Sequence, residues 1–112
     1  MAAARLPTAL WVMAQVRRCN DAGVPAMVLR KGDPDGGMVI LRTSLLDGTS
    51  RVHSLTRDME GELAWMGALG GEAKPDAEVD AYIARQTQRD PDLWVIEVED
   101  RAGCVRFDGK LL

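Results

Sequence analysis

The 112-residue chain is short of the residue types on which most catalytic and metal chemistry depends, with one His, two Cys, one Phe and one Tyr beside three Trp. His53, Cys19 and Cys104 would be soft ligands, but no two of them have the short spacing that structural zinc sites use, so no metal is expected. His53 is followed by Ser54, and neighbours on a strand point to opposite faces, which excludes a nucleophilic pair built from these two. The cysteines, far apart in the chain, read as reduced thiols of small core residues rather than as a disulfide, and this favours the cytoplasm. One Phe and one Tyr offer few platforms on which nucleic-acid bases stack. Long apolar runs are missing as well. The run from Ala9 to Val16 contains Gln15, is followed by Arg17 and Arg18, and is too short to span a bilayer. Met1 to Pro7 lacks the charged start, apolar stretch and cleavage site of a secretory signal.

What the chain does have is turn chemistry between apolar segments. Hydrophobic content of 46% and charged content of 28% are those of a soluble globular protein, and 112 residues make one domain able to bury a core without staples. Asp33, Pro34 and Gly36 occupy the positions that a type I turn selects, so strand-like runs over about 24–31 and 37–46 form an antiparallel hairpin. Asp47-Gly48, between Leu46 and Thr49, fits a two-residue type I′ turn into a third strand, about 49–57. The second strand is apolar enough to be buried on both faces. The third, with Val52 and Leu55 out of alternation, is expected to bulge or lie near an edge. Residues 62–66 read as a fourth strand or a helical turn, the strand being favoured, and 67–74 as loop.

Two helices complete the pattern. The first runs from Thr8, its N-cap, to about Asp21 and stops at Gly23, with Ala9, Val12, Met13, Val16 and Cys19 toward the sheet. The second starts after Pro75 and extends to about Arg89, with Val79, Tyr82, Ile83 and Gln86 inward and its charges arranged as the helix dipole prefers. From Leu93 to Glu99 the chain alternates, Trp94, Ile96 and Val98 inward and Glu97 and Glu99 in water, and residues 104–107 would form a closing strand. The predicted fold is a single two-layer α+β domain over residues 1–112. It consists of an antiparallel meander with both helices on one face and loose tails at 1–6 and 108–112.

With these elements assigned, several motifs stand together: the run LWVMAQVRRC from Leu10 to Cys19, the turn from Arg30 to Gly37, the hairpin from Leu46 to Thr49, and the strings from Asp80 to Gln86 and from Arg89 to Arg101. As a set they resemble a family of small alphaproteobacterial proteins catalogued as domain of unknown function 1491, and the resemblance covers nearly the whole chain. It implies a bacterial cytoplasmic protein and brings no activity, cofactor or catalytic residue to carry over.

Function is therefore weighed on the residues. Asp33 and Asp35 begin like a calcium loop, but Gly37 and Leu45 fill ligand positions, and no phosphate-cradling loop precedes a helix. Glu97 and Glu99, bracketed by Asp92 and Asp100, would serve as an acid/base pair or cation site, though a solvated strand face accounts for them. Residues 1–57 carry eight Lys/Arg against four Asp/Glu, and residues 58–112 carry six against thirteen. The favoured reading is a non-enzymatic interaction module without cofactor. Trp11, Gln15 and Arg18, at i, i+4 and i+7 on the side of the first helix away from its apolar face, would meet a protein partner or a second copy of the chain. The alternative is an anion or RNA-binding domain that uses Arg30, Lys31, Arg42, Arg51 and Arg57 on the meander.

Overall fold

The computed structural model describes residues 6–112. In chain order the elements are α1 (Thr8–Asp21), β1 (Ala26–Arg30), β2 (Val39–Ser44), β3 (Thr49–Arg57), β4 (Leu63–Gly67), a 3-10 turn (Leu69–Gly71), β5 (Lys74–Pro75), α2 (Asp76–Arg89), β6 (Trp94–Glu99) and β7 (Lys110–Leu111). One mixed sheet has the order β1-β6-β2-β3-β4-β7, with β5 paired to β3. The α+β class and the single compact domain are as expected. The purely antiparallel sheet is not, because β6 pairs parallel to β2 and β7 parallel to β4.

The insertion of β6 changes the hairpin read at Asp33. β1 and β2 do not pair; β6 lies between them, antiparallel to β1 and parallel to β2. Residues 31–38 therefore bridge two interstrand spacings, about 10 Å, instead of closing a tight reversal. The chain does turn after Asp33, but the closing hydrogen bond is that of a wider α-turn, the Gly37 N–H donating to the Asp33 carbonyl at 3.4 Å, and not the Gly36 to Asp33 bond of a type I turn. The antiparallel meander is β2-β3-β4, so β3 is an interior strand with continuous register and no bulge. Four residues, Leu45 to Gly48, link β2 to β3, and positive φ falls on Leu46 and Gly48 rather than on Asp47.

The helices lie on opposite faces, giving three layers rather than two. Successive residues of β2 and β6 divide between two cores. Val39, Leu41, Trp94, Ile96 and Val98 pack with Val12, Val16 and Cys19 of α1, while Ile40, Val95 and Val52 pack with Val79, Tyr82 and Ile83 of α2. β6 is thus covered on both sides, and Val95 breaks the alternation of one wet face. Pro7, not Thr8, holds the N-cap of α1, and Met13 points to solvent. Gly23, at φ 81°, ends α1 with Val24 N–H returning to the Cys19 carbonyl at 2.9 Å, as the left-handed C-terminal motif requires. No strand forms over 104–107. The 108–112 tail is tied down instead, since β7 pairs with β4 and Trp65 Nε1 donates to the Asp108 carbonyl at 2.9 Å. Apart from Leu6, the tail expected at 1–6 lies outside the described residues.

Candidate functional site

The bridge over β6 forms one wall of a concavity. Gly32 and Gly37 press against the start of β6 so closely that a Cβ on either would sit 2.0 or 2.1 Å from the Asp92 carbonyl oxygen, a contact that only glycine avoids. The Asp33 N–H donates to that same carbonyl at 3.0 Å, Trp94 Nε1 donates to the Asp33 carbonyl at 2.7 Å, and the Ala9 N–H donates to the Pro34 carbonyl at 2.9 Å. The loop is fixed to both the sheet and the first turn of α1. Between it, that first turn and the ends of β3 and β4 runs an open groove of about 480 Å³, within the size range of ligand pockets.

Its lining is apolar at the base and sparsely charged at the rim. Val39, Leu55, Leu63, Met38, Leu6 and the Trp11 indole supply the apolar surface, and Thr8, Asp35, Thr56 and Arg57 the polar side chains. Among the described residues, Arg57 is the only cation of the lining. It donates to the Gly61 carbonyl at 2.6 Å, and neither it nor Asp35 forms an ion pair among the described residues. Among the described residues, no His, Cys, Lys or Glu lines the groove.

The three residues assigned to a partner are together, and their neighbour is the chain's own C-terminal segment. The Trp11 ring meets Phe107 edge-on at 5.9 Å and Trp65 at 6.4 Å between centroids. Gln15 is buried; its Nε2 donates to Asp108 at 3.0 Å, and its Oε1 accepts the Asp108 N–H at 3.0 Å. Arg18 completes the clasp with Asp108 at 2.6 Å and the Arg106 carbonyl at 3.0 Å. Hydrogen bonds from Arg18 and Gln15 hold the Asp108 carboxyl below the usual carboxylate range. Only Trp11 of the three also reaches the groove. Asp108 and Phe107 escaped sequence reasoning; the Asp108-Gly109 pair before an apolar end is the turn signal that points to them.

The five basic residues do not share a face. Arg42 lies on the α2 face, opposite Val52, and is 8% exposed; it meets Asp76 at 3.2 Å, Glu97 at 3.4 Å and, closer still, Asp80, with Ser50 as a further partner. Here the basic and acidic halves of the chain interleave. Burial pushes the Glu97 carboxyl up despite Arg42, and Glu99, Asp76 and Asp80 push the same way. Arg51 lies on the α1 face. Arg30 donates to the Pro91 and Leu93 carbonyls, Lys31 is exposed in the bridge, and Arg57 is at the groove. His53 is buried on the α1 face, and burial, then Arg51, lowers its pKa. Thr43 Oγ1, Arg51 Nε and His53 Nδ1 are buried there without hydrogen-bond partners among the described residues. Cys19 is a buried free thiol, as expected, whereas Cys104 is exposed. No cluster of three or more His, Cys, Asp or Glu fit to hold a metal occurs among the described residues, and no described helix is long and apolar enough to cross a membrane.

The model of the family described as protein of unknown function DUF1491 matches residues 6–108. Among solved structures, a crystal structure of a DUF1491 family protein from Caulobacter crescentus CB15 is 35% identical, with 96% of this chain and 100% of that one covered and a TM-score of 0.84. An NMR structure of a DUF1491 family protein from the same organism is 34% identical over 98% and 99% of the two chains, at a TM-score of 0.81. The solution structure of protein Atu0922 from A. tumefaciens is 30% identical over 87% of each chain, at 0.71. No curated protein matches the chain.

Proposed function

We propose, for a chain that belongs to the DUF1491 family and so inherits no assigned activity, that it is a non-enzymatic interaction module. In this reading the groove beside Trp11 receives an apolar side chain of a protein partner, and an acidic residue next to that side chain meets Arg57. The observation that carries the reading is the groove itself, about 480 Å³ with an apolar base, an indole wall and, among the described residues, a single cation at its rim. An aromatic or branched side chain fills such a recess with little polar desolvation, and the guanidinium, committed to one carbonyl only, keeps donors for a carboxylate. The two free thiols suit work in a reducing compartment, the cytoplasm.

A displayed random-peptide library, selected on the native protein, tests this. Enriched peptides should pair an aromatic or branched residue with Asp or Glu and should shift the Trp11 indole and Met38 amide resonances. Met38→Lys and Arg57→Glu, both at exposed positions, should each weaken binding at least tenfold, about 1.4 kcal/mol. Peptides that bind with no change at those resonances would overturn the assignment of the groove.

A further inference from the structure

We infer that a recess at the C-terminal end of α2 takes the side chain of a lysine, carried by the same partner segment whose apolar residue fills the groove. The inference rests on the proposed reading of the groove and adds to it the chemistry of a second contact, on the other face of the sheet.

The recess, about 180 Å³, is smaller than the pockets that hold whole small molecules and suits a single long side chain. Met38, Ile40 and Leu93 give it apolar walls, and Ser54, Gln86 and Asp90 its polar atoms. Ile40 and Leu93 belong to the core under α2, whereas Val39 and Leu55 of the groove belong to the core under α1, so the two concavities lie on opposite faces. Met38 and Val39 line both. They stand where the β2–β3 ladder stops: Ile40 and Ser54 are its last pair, while β3 runs on to Arg57 against β4. A chain lying in the groove therefore reaches the recess by crossing Met38, which is 53% exposed. The crossing is about 10 Å, the spacing of packed layers, and about three extended residues cover it.

Charge selects the occupant and its direction. Asp90 follows the last residue of α2, with its N–H bonded to the Gln86 carbonyl, so its carboxylate stands at the negative end of the helix dipole, where an acid is disfavoured and a cation is welcome. One of its oxygens accepts the Asp92 N–H at 3.0 Å, and Asp90 forms no ion pair among the described residues. Of the cations close by, Arg30 donates to the Pro91 and Leu93 carbonyls and Arg89 is exposed in the last turn of α2; neither lines the recess. An ammonium group brings three donors to a site whose acceptors are the Asp90 carboxylate, the Gln86 carboxamide oxygen and the Ser54 hydroxyl, and the methylenes of lysine suit the apolar walls. A planar guanidinium asks for coplanar, bidentate acceptors instead. Asp35, the carboxylate on the groove side of the path, adjoins the first turn of α1, whose positive end opposes a cation. The order of charges along the segment follows. Its acid meets Arg57 and its lysine meets Asp90, since the reverse order would set a cation against Arg57.

Peptides selected from the displayed library on the native protein should carry lysine about three residues from their aromatic or branched residue, on the side away from the acid. Asp90→Asn, which keeps an acceptor for the Asp92 N–H, should weaken such a peptide about fivefold and leave its lysine-to-norleucine analogue unaffected. Asp35→Asn should leave the contribution of the lysine unchanged. n-Butylammonium chloride, added alone, should shift the Leu93 amide and Gln86 side-chain resonances saturably, with a dissociation constant on the order of 10 mM, and n-butanol should not. Peptides that shift the Trp11 and Met38 resonances without any preference for lysine overturn the recess and leave the groove standing. Lysine dependence that follows Asp35 rather than Asp90 overturns it too, as does an n-butanol response equal to that of n-butylammonium. Peptides that miss the groove resonances overturn the groove reading and with it the shared segment, whether or not n-butylammonium moves Leu93.

Discussion

Replacing Asp108 with Ala removes the acceptor that joins the end of the chain to α1, and the structure says which part of that loss matters. The carboxylate accepts from Gln15 Nε2 at 3.0 Å and from Arg18 Nη1 at 2.6 Å. Arg18 and Asp108 side chains are both about half exposed, so their ion pair is worth roughly 0–1 kcal/mol and is screened by salt. Gln15 is only 6% exposed, and stranding its amide without an acceptor costs about 1–3 kcal/mol. The Gln15 contribution wins, and the total is about 2 kcal/mol, or about 8 °C in Tm for a domain of this size. Urea unfolding followed by tryptophan fluorescence measures it, because Trp11 and Trp65 both adjoin the clasp. Most of the loss should persist in 0.5 M salt, and Asp108→Asn, which keeps an acceptor for Gln15, should lose less than about 1 kcal/mol. The folded carboxyl titrates below its ordinary value of 3.8. Its stabilisation is therefore present above that pH and is lost as pH falls through the lowered folded pKa. An Ala variant within about 0.5 kcal/mol of the wild type would refute the reasoning.

Two further predictions concern the Arg42 cluster. Arg42→Met should cost about 3 kcal/mol in urea unfolding, since it leaves Glu97 half-buried beside Asp76 and Asp80 without a cation; the figure sits at the low end for buried pairs because both aspartates are open to water. Glu97→Gln should behave differently, because Asp76 and Asp80 still hold Arg42. The folded Glu97 pKa lies above its ordinary 4.5, so the stability linked to its proton is full below that pH and is lost as pH rises through the folded pKa. The Gln variant has no such loss and should gain on the wild type in Tm between about pH 4 and pH 7. An identical Tm difference at the two pH values would count against a raised Glu97.

Local signals in the sequence located most elements and left their arrangement open. Gly23 stops α1, Pro75 and the charge gradient frame α2, and the Asp-Gly pair at 47–48 brings β2 back against β3. These depend on neighbours in the chain. What the chain does not record locally is that β6, some 50 residues beyond β2, inserts beside it. The turn residues at Asp33 are compatible with a tight hairpin or with a wide bridge, and the difference is decided by a strand that competes for the same edge. The competitor wins because β6 offers apolar side chains to both faces, Trp94, Ile96 and Val98 to one core and Val95 to the other. A strand apolar on both sides belongs in the interior of a covered sheet. The two acidic residues at 97 and 99 masked this by imitating a wet face, although Glu97 lies under Arg42.

The same long-range event explains why the groove was not legible while one of its residues was. Trp11 stands out in the sequence as a large aromatic off the apolar face of α1, and it does line the groove. One of its other walls exists because residues 31–38 must climb over the start of β6, which lifts Asp35 to Met38 toward the first turn of α1. Had β1 and β2 paired directly, the turn would close onto its own strands and Trp11 would face β3 with no recess between them. Gly32 and Gly37 are the local trace of the climb, since their backbones pass within reach of the Asp92 carbonyl. Read as ordinary turn glycines they say nothing about function; read against β6 they fix the height of one groove wall. The groove is thus a consequence of sheet order rather than of any motif, and in the proposed reading its specificity follows from the lengths of the bridge and of the β3–β4 hairpin more than from the residues that form the sheet.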